Sequence, residues 1–413
     1  MLDEIIDHSW DYASEDTKYY THGIHPYPAM MIPQVSRRLI AENKKKDSIA
    51  YDPFCGSGSV LLEFKLAQLQ SFGTDINPLA IKISKAKNTI LNPEKIQRNL
   101  QLIQNEFYKL KFEVKKETIP KFNNIDFWFK DQVIVDLSKL KKSIEIVNNK
   151  NMKNFFDVCF SETVRKSSNT RGSEFKLYRI NKEKLPKHNP IARELFVKIV
   201  ERNIAGMQRV YDFSQERLLA ETKVIEADIT KKIPLDENSI DLIVSSPPYG
   251  DSRTTVAYGQ FTRLSLQWLG ISEEEARSLD KISLGGKTTQ DSQAFSSAYL
   301  ENTINKISNH DEKRAKEVLS FFNDFFKGSE NINKVLKNKS KVCWVLGNRT
   351  VKNVRVPTDK IISDAFKEFG FKHEKTIIRS IPNKRMPRKN SPTNVIGETV
   401  STMNEEYIVI LER

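Results

Sequence analysis

Ser48-Ile-Ala-Tyr-Asp-Pro-Phe-Cys-Gly-Ser-Gly-Ser59 is the stretch from which the rest of the chain can be read. Ser48–Tyr51 is predicted to be a short strand, and Asp52-Pro53 ends it because proline donates nothing to a sheet ladder. Glycines at 56 and 58 let backbone approach a ligand closely, and a helix expected over Val60–Leu69 would present free N–H groups there. Phe72–Thr74 predicts a second strand, closed by Asp75-Ile76-Asn77-Pro78, and Leu79–Asn88 a second helix. Strand, glycine turn, helix, strand and acid in that order make a βαβ unit, the start of a doubly wound sheet. At the end of the second strand the Asp75 carboxylate can accept both hydroxyls of a ribose. Leu61 stands where the third glycine of a G-x-G-x-x-G fingerprint would be. That disfavours a pyrophosphate and leaves room for a nucleoside joined to an amino acid.

Downstream, Asp241–Asp251 reads Asp-Leu-Ile-Val-Ser-Ser-Pro-Pro-Tyr-Gly-Asp. Leu242–Val244 is an apolar run without alternation, which suits a strand buried on both faces. Pro247-Pro248 must stop it and leaves acceptors, the Ser246 hydroxyl and the Pro247 carbonyl, beside the ring of Tyr249. An exocyclic amino group on a planar base needs acceptors for its N–H groups and a ring to stack on. The bland alternative, a strand with a Pro-rich turn, weakens once the glycine turn upstream is considered.

These two motifs resemble those of the S-adenosylmethionine-dependent amino-methyltransferases acting on DNA. The resemblance rests on Asp52-Pro-Phe-Cys-Gly-Ser-Gly58 and Ser246-Pro-Pro-Tyr249, with Tyr19–Pro33 similar to the segment such enzymes place before the cofactor strand. It implies an α/β, Rossmann-like class I methyltransferase fold with a mostly parallel seven-stranded sheet, the last strand antiparallel. It implies that Tyr27, Asp52, Phe54, Gly56 and Gly58 line the methionine end of S-adenosylmethionine, that Asp75 binds the ribose and that Asp228 binds the adenine amino group. Ser246, Pro247, Pro248 and Tyr249 would hold a base rotated out of double-stranded DNA. Family members with S-P-P-Y usually methylate cytosine N4, and adenine-modifying members more often carry Asp or Asn in place of the serine. The resemblance also implies a modification enzyme of a restriction-modification system, with a possible cognate restriction endonuclease. The alternatives are adenine-N6 methylation, RNA guanine-N2 methylation on the same fold, and a non-enzymatic nucleic-acid binder. A binder has no need of a cofactor pocket.

The 413 residues carry a net charge of +13, which favours a polyanionic partner. No apolar stretch approaches the roughly 20 residues of a membrane span. The opening MLDEIIDHSWDY resembles neither a signal nor a transit peptide. Cys55, Cys159 and Cys343 form no CxxC pair, so disulfides and zinc are not expected; together these features point to the cytoplasm. The expected organisation is 1–90 as the N-terminal segment and cofactor half, 91–220 as a largely helical insertion for target recognition, and 221–413 as the catalytic half, helically elaborated at 252–340. Arg165, Arg171, Arg253, Lys384, Arg385 and Arg388 are the candidate DNA contacts. Cys55 is expected to pack rather than react. The Phe321–Phe326 stripe and Phe127–Phe129 are expected in the core, and His22 and His25, read as lacking a carboxylate partner, are not expected to bind metal.

Overall fold

The computed structural model describes residues 4–110, 119–172, 174–251, 255–288, 292–382, 389–390, 400–401 and 403–413. In chain order the elements are β1 (Glu4–Ile6), α1 (Pro33–Asn43), β2 (Ala50–Asp52), α2 (Ser59–Leu66), β3 (Ser71–Asp75) and α3 (Pro78–Asn88). Five helices follow: α4 (Pro93–Lys109), α5 (Ile125–Trp128), α6 (Asp131–Ile144), α7 (Lys150–Ser167) and α8 (Ala192–Glu216). Then come β4 (Thr222–Glu226), β5 (Ile240–Ser245), α9 (Tyr258–Trp268), α10 (Glu273–Ile282), α11 (Ala298–Ser308) and α12 (Glu312–Val335). The remaining elements are β6 (Leu336–Leu346), α13 (Thr358–Lys367), β7 (Lys372–Ser380) and β8 (Glu405–Glu412).

One sheet of eight strands runs β1-β7-β8-β6-β5-β2-β3-β4. The pairs β2–β3, β3–β4, β2–β5, β5–β6 and β1–β7 are parallel. Only β8 runs against its neighbours, between β6 and β7. The expected seven-stranded core is therefore present, and β1 adds an eighth strand at one edge. Its three exposed residues carry no alternation that could have announced it.

Burial on both faces explains the unbroken apolar runs. Ile243, Trp344 and Val409 look toward one cluster with α11, α12 and α13, and Leu242, Val244, Cys343 and Ile410 toward another with α1 and α2. Phe321, Phe322 and Phe325 lie inside the first of these clusters. The insertion sits wholly within the crossover from α3 to β4, so it leaves the strand order untouched. Its helices α4, α6, α7 and α8 share a third cluster with Leu62, Leu79 and Ile83 and with α9 and α10. The polar stretch from Ser161 to Arg179 begins as the last turns of α7. Within that insertion Phe129 is buried and Phe127 is exposed. Helix α1 starts at Pro33, which occupies the first turn where a missing N–H does no harm.

Candidate active site

The chain leaves β2 in one direction, to β3 and β4, and returns on the other side through β5 and β6. The carboxyl ends of β2 and β5 therefore flank the switch point, where open α/β sheets form their ligand crevice. Ala50 pairs with Leu242 and Tyr51 with Ile243, so the glycine turn and the Ser-Pro-Pro-Tyr turn emerge side by side. A cleft with about 1130 Å³ of empty space, open solvent included, lies over the ends of β5, β2, β3 and β4. Tyr27, Asp52, Phe54, Gly56, Asp75, Asp228, Ser246 and Pro248 are all in its wall.

Each strand end is pinned by its own hydrogen bonds. Ser245 Oγ donates to Asp52 Oδ1 at 2.6 Å, tying β5 to β2 directly beneath the cavity. Burial pushes the Asp52 carboxyl up to about 7 in spite of that bond. Asp75 accepts from Gly56 N at 3.0 Å and from Asn77 N at 2.8 Å. Burial raises its pKa to about 6. Asp228 accepts from the N and Oγ1 of Thr230 through Oδ1. Tyr27 and Tyr258 stack with ring centroids 5.9 Å apart and close one side of the cavity.

Ser246 Oγ donates to Tyr249 Oη at 3.3 Å, and Tyr249 Oη donates to Glu406 Oε1 at 3.1 Å. Arg379 holds the other oxygen of Glu406. Burial and the Glu406 carboxylate raise the Tyr249 phenol far above its usual range, so it stays a donor. The ring of Tyr249 lies against Gly347, where an added Cβ would come within 2.7 Å of Cδ2. Below the turn, Asp251 and Arg349 form a buried ion pair at 3.1 Å.

Several expected site residues lie elsewhere. Pro247 and Tyr249 are not in the cavity wall, and neither is Gly58. Gly58 is needed for a different reason: its φ is +75°, and a Cβ would sit 2.3 Å from Ser84 Oγ, so it lets α3 pack on the turn. Arg165 turns inward, donating to the carbonyls of Phe261 and Glu174 and covering the Phe261 ring. In that arrangement it braces α7 on α9. Arg171 is on the surface, paired with Glu174 and Asn181. Arg253, Lys384, Arg385 and Arg388 lie outside the described residues. Cys55 is buried, and burial raises its thiol well above the ordinary value. His22 does have a carboxylate partner, Glu63 at 2.8 Å, supplied by α2, and His25 bonds Ser161. Sequence reading missed Glu406, Asp280 and Lys87 near the site, because charged residues on a strand or helix read as solvent-facing.

The strand order, the crevice at the switch point and the acids at successive strand ends define a Rossmann-like methyltransferase of class I. The N6/N4 DNA methylase family model matches residues 2–86. The type II methyltransferase M.MvaI of Kocuria varians is 42% identical over 421 residues, covering 97% of this chain and 93% of that protein. Type II methyltransferase M.MjaII of Methanocaldococcus jannaschii is 33% identical over 97 residues, 22% of this chain and 18% of that protein. A SAM-dependent methyltransferase of Methanosarcina mazei aligns with 94% of this chain and 98% of its own at 8% identity, with a TM-score of 0.31. This chain belongs to the type II DNA methyltransferases of the N6/N4 family. Its methyl donor is S-adenosylmethionine. The cavity suits that donor: a half-buried carboxylate at the end of β3 can accept from a diol, and Met31, Ile229 and Leu284 supply apolar wall for a base.

Proposed function

We propose that this enzyme methylates the exocyclic N4 of a cytosine rotated out of duplex DNA, as the modification partner of a restriction-modification system in the cytoplasm of a prokaryotic cell. The observation that carries the reading is the continuous cavity over four adjacent strand ends, with Ser246 and Pro248 at one side and Asp228 at the other. Three strand spacings make about 14 Å, which sets the Ser-Pro-Pro-Tyr turn and Asp228 at opposite ends of the cleft. In this reading Gly56, Asp52, Phe54 and Tyr27 border the methionine arm, Asp75 takes the ribose hydroxyls and Asp228 the adenine amino group.

Bound S-adenosylmethionine supplies an electrophilic methyl group on a sulfonium. What remains for the protein is to make a poor nucleophile attack. The lone pair of the cytosine amino nitrogen is delocalised into the ring, and acceptors on its two hydrogens draw it toward tetrahedral geometry. A serine is a neutral acceptor whose own proton has to point elsewhere. The chain from Ser246 through Tyr249 to Glu406 provides for that: the serine proton is directed to the tyrosine, and its lone pairs are left for the amine. Hydrogen bonds in series polarise one another, so Glu406 strengthens the serine oxygen as an acceptor from two groups away. The Pro247 carbonyl is the second acceptor. Positioning and electrostatics supply the acceleration, with no covalent intermediate. Tyr249 thus has two tasks, a ring for stacking and a hydroxyl that orients Ser246.

The insertion at 91–220 is proposed as the target-recognition region, with Arg171 on its exposed surface and Arg253, Lys384, Arg385 and Arg388 as further contacts. The decisive experiment is incubation with labelled S-adenosylmethionine and mixed DNA, followed by nucleoside mass spectrometry. N4-methylcytosine supports the proposal, and N6-methyladenine moves the chemistry to the sister reaction. Label found only in RNA overturns the substrate.

A further inference from the structure

Lys87 lies near the carboxyl end of α3, where a Lys-rich helix surface would ordinarily face water. Instead its side chain is buried, with 1% of the residue exposed. The ammonium donates to Ser57 Oγ at 3.1 Å and Ser59 Oγ at 2.9 Å. Thr21 Oγ1, from the segment before α1, donates to the Lys87 carbonyl at 2.8 Å and fixes the backbone. Among the described residues no carboxylate pairs with this ammonium. Glu63, the buried acid of α2, is taken up by His22, Arg37 and Tyr19.

A buried charge without a counter-charge is expensive, and proteins do not keep one without a reason. Burial lowers the Lys87 ammonium to about 7. Both serines that receive its hydrogens are themselves in the cavity wall, beside Gly56 and Val60. The same spot is the start of α2, whose Gly58 cap has no side chain to satisfy the first N–H groups. An ammonium, two hydroxyls and an uncapped helix start therefore converge on one end of the cavity. All of them favour an anion, and none of the described side chains supplies it.

We infer that Lys87 is the counter-charge for the carboxylate of the methyl donor's methionine arm, acting through the hydroxyls of Ser57 and Ser59. This rests on the cofactor orientation given under Proposed function. The lysine N–H groups donate to the serine oxygens, and each serine O–H donates onward to a carboxylate oxygen. No covalent bond changes. Lys87 is thus a positioning residue for the cofactor, one layer behind the groups that touch it.

The test compares two ligands that share a nucleoside thioether and differ in the amino-acid end: S-adenosylhomocysteine carries the carboxylate, and 5′-methylthioadenosine lacks it. Calorimetric titration of Lys87→Met is expected to show about tenfold or greater weakening for S-adenosylhomocysteine and less than about twofold for 5′-methylthioadenosine, the scale of one charge-assisted hydrogen bond. Lys87→Arg is expected to restore most of the wild-type preference. Equal weakening for both ligands means the lysine merely braces the turn, and overturns the inference; so does an unchanged ratio. Should Lys87→Met not fold, the Ser57→Ala/Ser59→Ala double variant keeps the lysine and removes the relay, and an unchanged ratio there overturns it equally. If wild-type protein binds neither ligand, the cofactor reading itself has failed, a result distinct from a lost preference.

Discussion

Replacing Tyr249 with phenylalanine isolates the hydroxyl chain from the aromatic ring. The substitution removes the bond from Ser246 at 3.3 Å and the bond to Glu406 at 3.1 Å, and keeps the ring against Gly347. Glu406 retains Arg379, so no buried charge is stranded and the fold should hold. Ser246 is then free to turn its proton toward the incoming amine, where it opposes rather than assists. A hydrogen bond in a chain ending on a carboxylate is worth about 1.5–3 kcal/mol, and that loss in the transition state corresponds to a rate lower by about ten- to a hundredfold. Single-turnover methyl transfer at saturating donor and DNA reads this directly, with donor affinity by calorimetry as the control that should not move. Tyr249→Ala should be slower again, because base stacking contributes about 1–3 kcal/mol more. A Tyr249→Phe enzyme that transfers methyl groups at the wild-type rate would refute the hydroxyl chain outright, whatever the alanine variant does.

Asp75→Asn should weaken S-adenosylhomocysteine binding by about tenfold, since one charge-assisted acceptor is lost. In the wild type, binding should weaken as pH falls through about 6, because the ligand hydroxyls favour the ionised Asp75 and protons compete for it; titration between pH 5 and 8 checks this. Burial raises the Asp52 pKa to about 7 from the 3.8 of an exposed carboxyl, so between those values the folded state binds the extra proton and stability falls as pH rises. The decline of Tm from pH 5 to 7 should accordingly be shallower in Asp52→Asn. Gly58→Ala should destabilise by about 1–3 kcal/mol in urea titration, from the left-handed φ and the clash with Ser84 together. Phe325→Ala empties part of the cluster under β6 and should destabilise by about 3–5 kcal/mol, read the same way.

What could be read from the residues follows a physical line. Local chemistry was legible. The glycine turn, Asp75 at the next strand end and the proline stop after Val244 each depend on backbone rules that neighbouring residues settle, and the strands stand within a residue or two of where those rules put them. The first residues of β6 were hidden because Lys337–Lys339 is polar and lies where the pairing with β5 shifts register between Leu336 and Lys341. Long-range consequences were not legible. Nothing in Arg165 distinguishes a guanidinium covering Phe261 from one facing a phosphate. Nothing in the helix ISKAKN announces that its second lysine points inward. Glu406 reads as the polar side of a patterned strand, and only the antiparallel placement of β8 brings it to Tyr249. The helices α4, α6 and α7 went unassigned because a Lys- and Asn-rich composition masks apolar stripes that are plain once α8 is packed on them.

Strand β8 is threaded between β6 and β7, and it carries the carboxylate on which the tyrosine of the Ser-Pro-Pro-Tyr turn leans. Every residue of the crevice wall therefore precedes, in chain order, the strand on which the serine's proton relay depends. Without Glu405–Glu412 in place, the serine has no oriented proton and the sheet has a gap. A chain without this strand would keep every residue of the crevice wall yet lack the carboxylate that orients the serine proton.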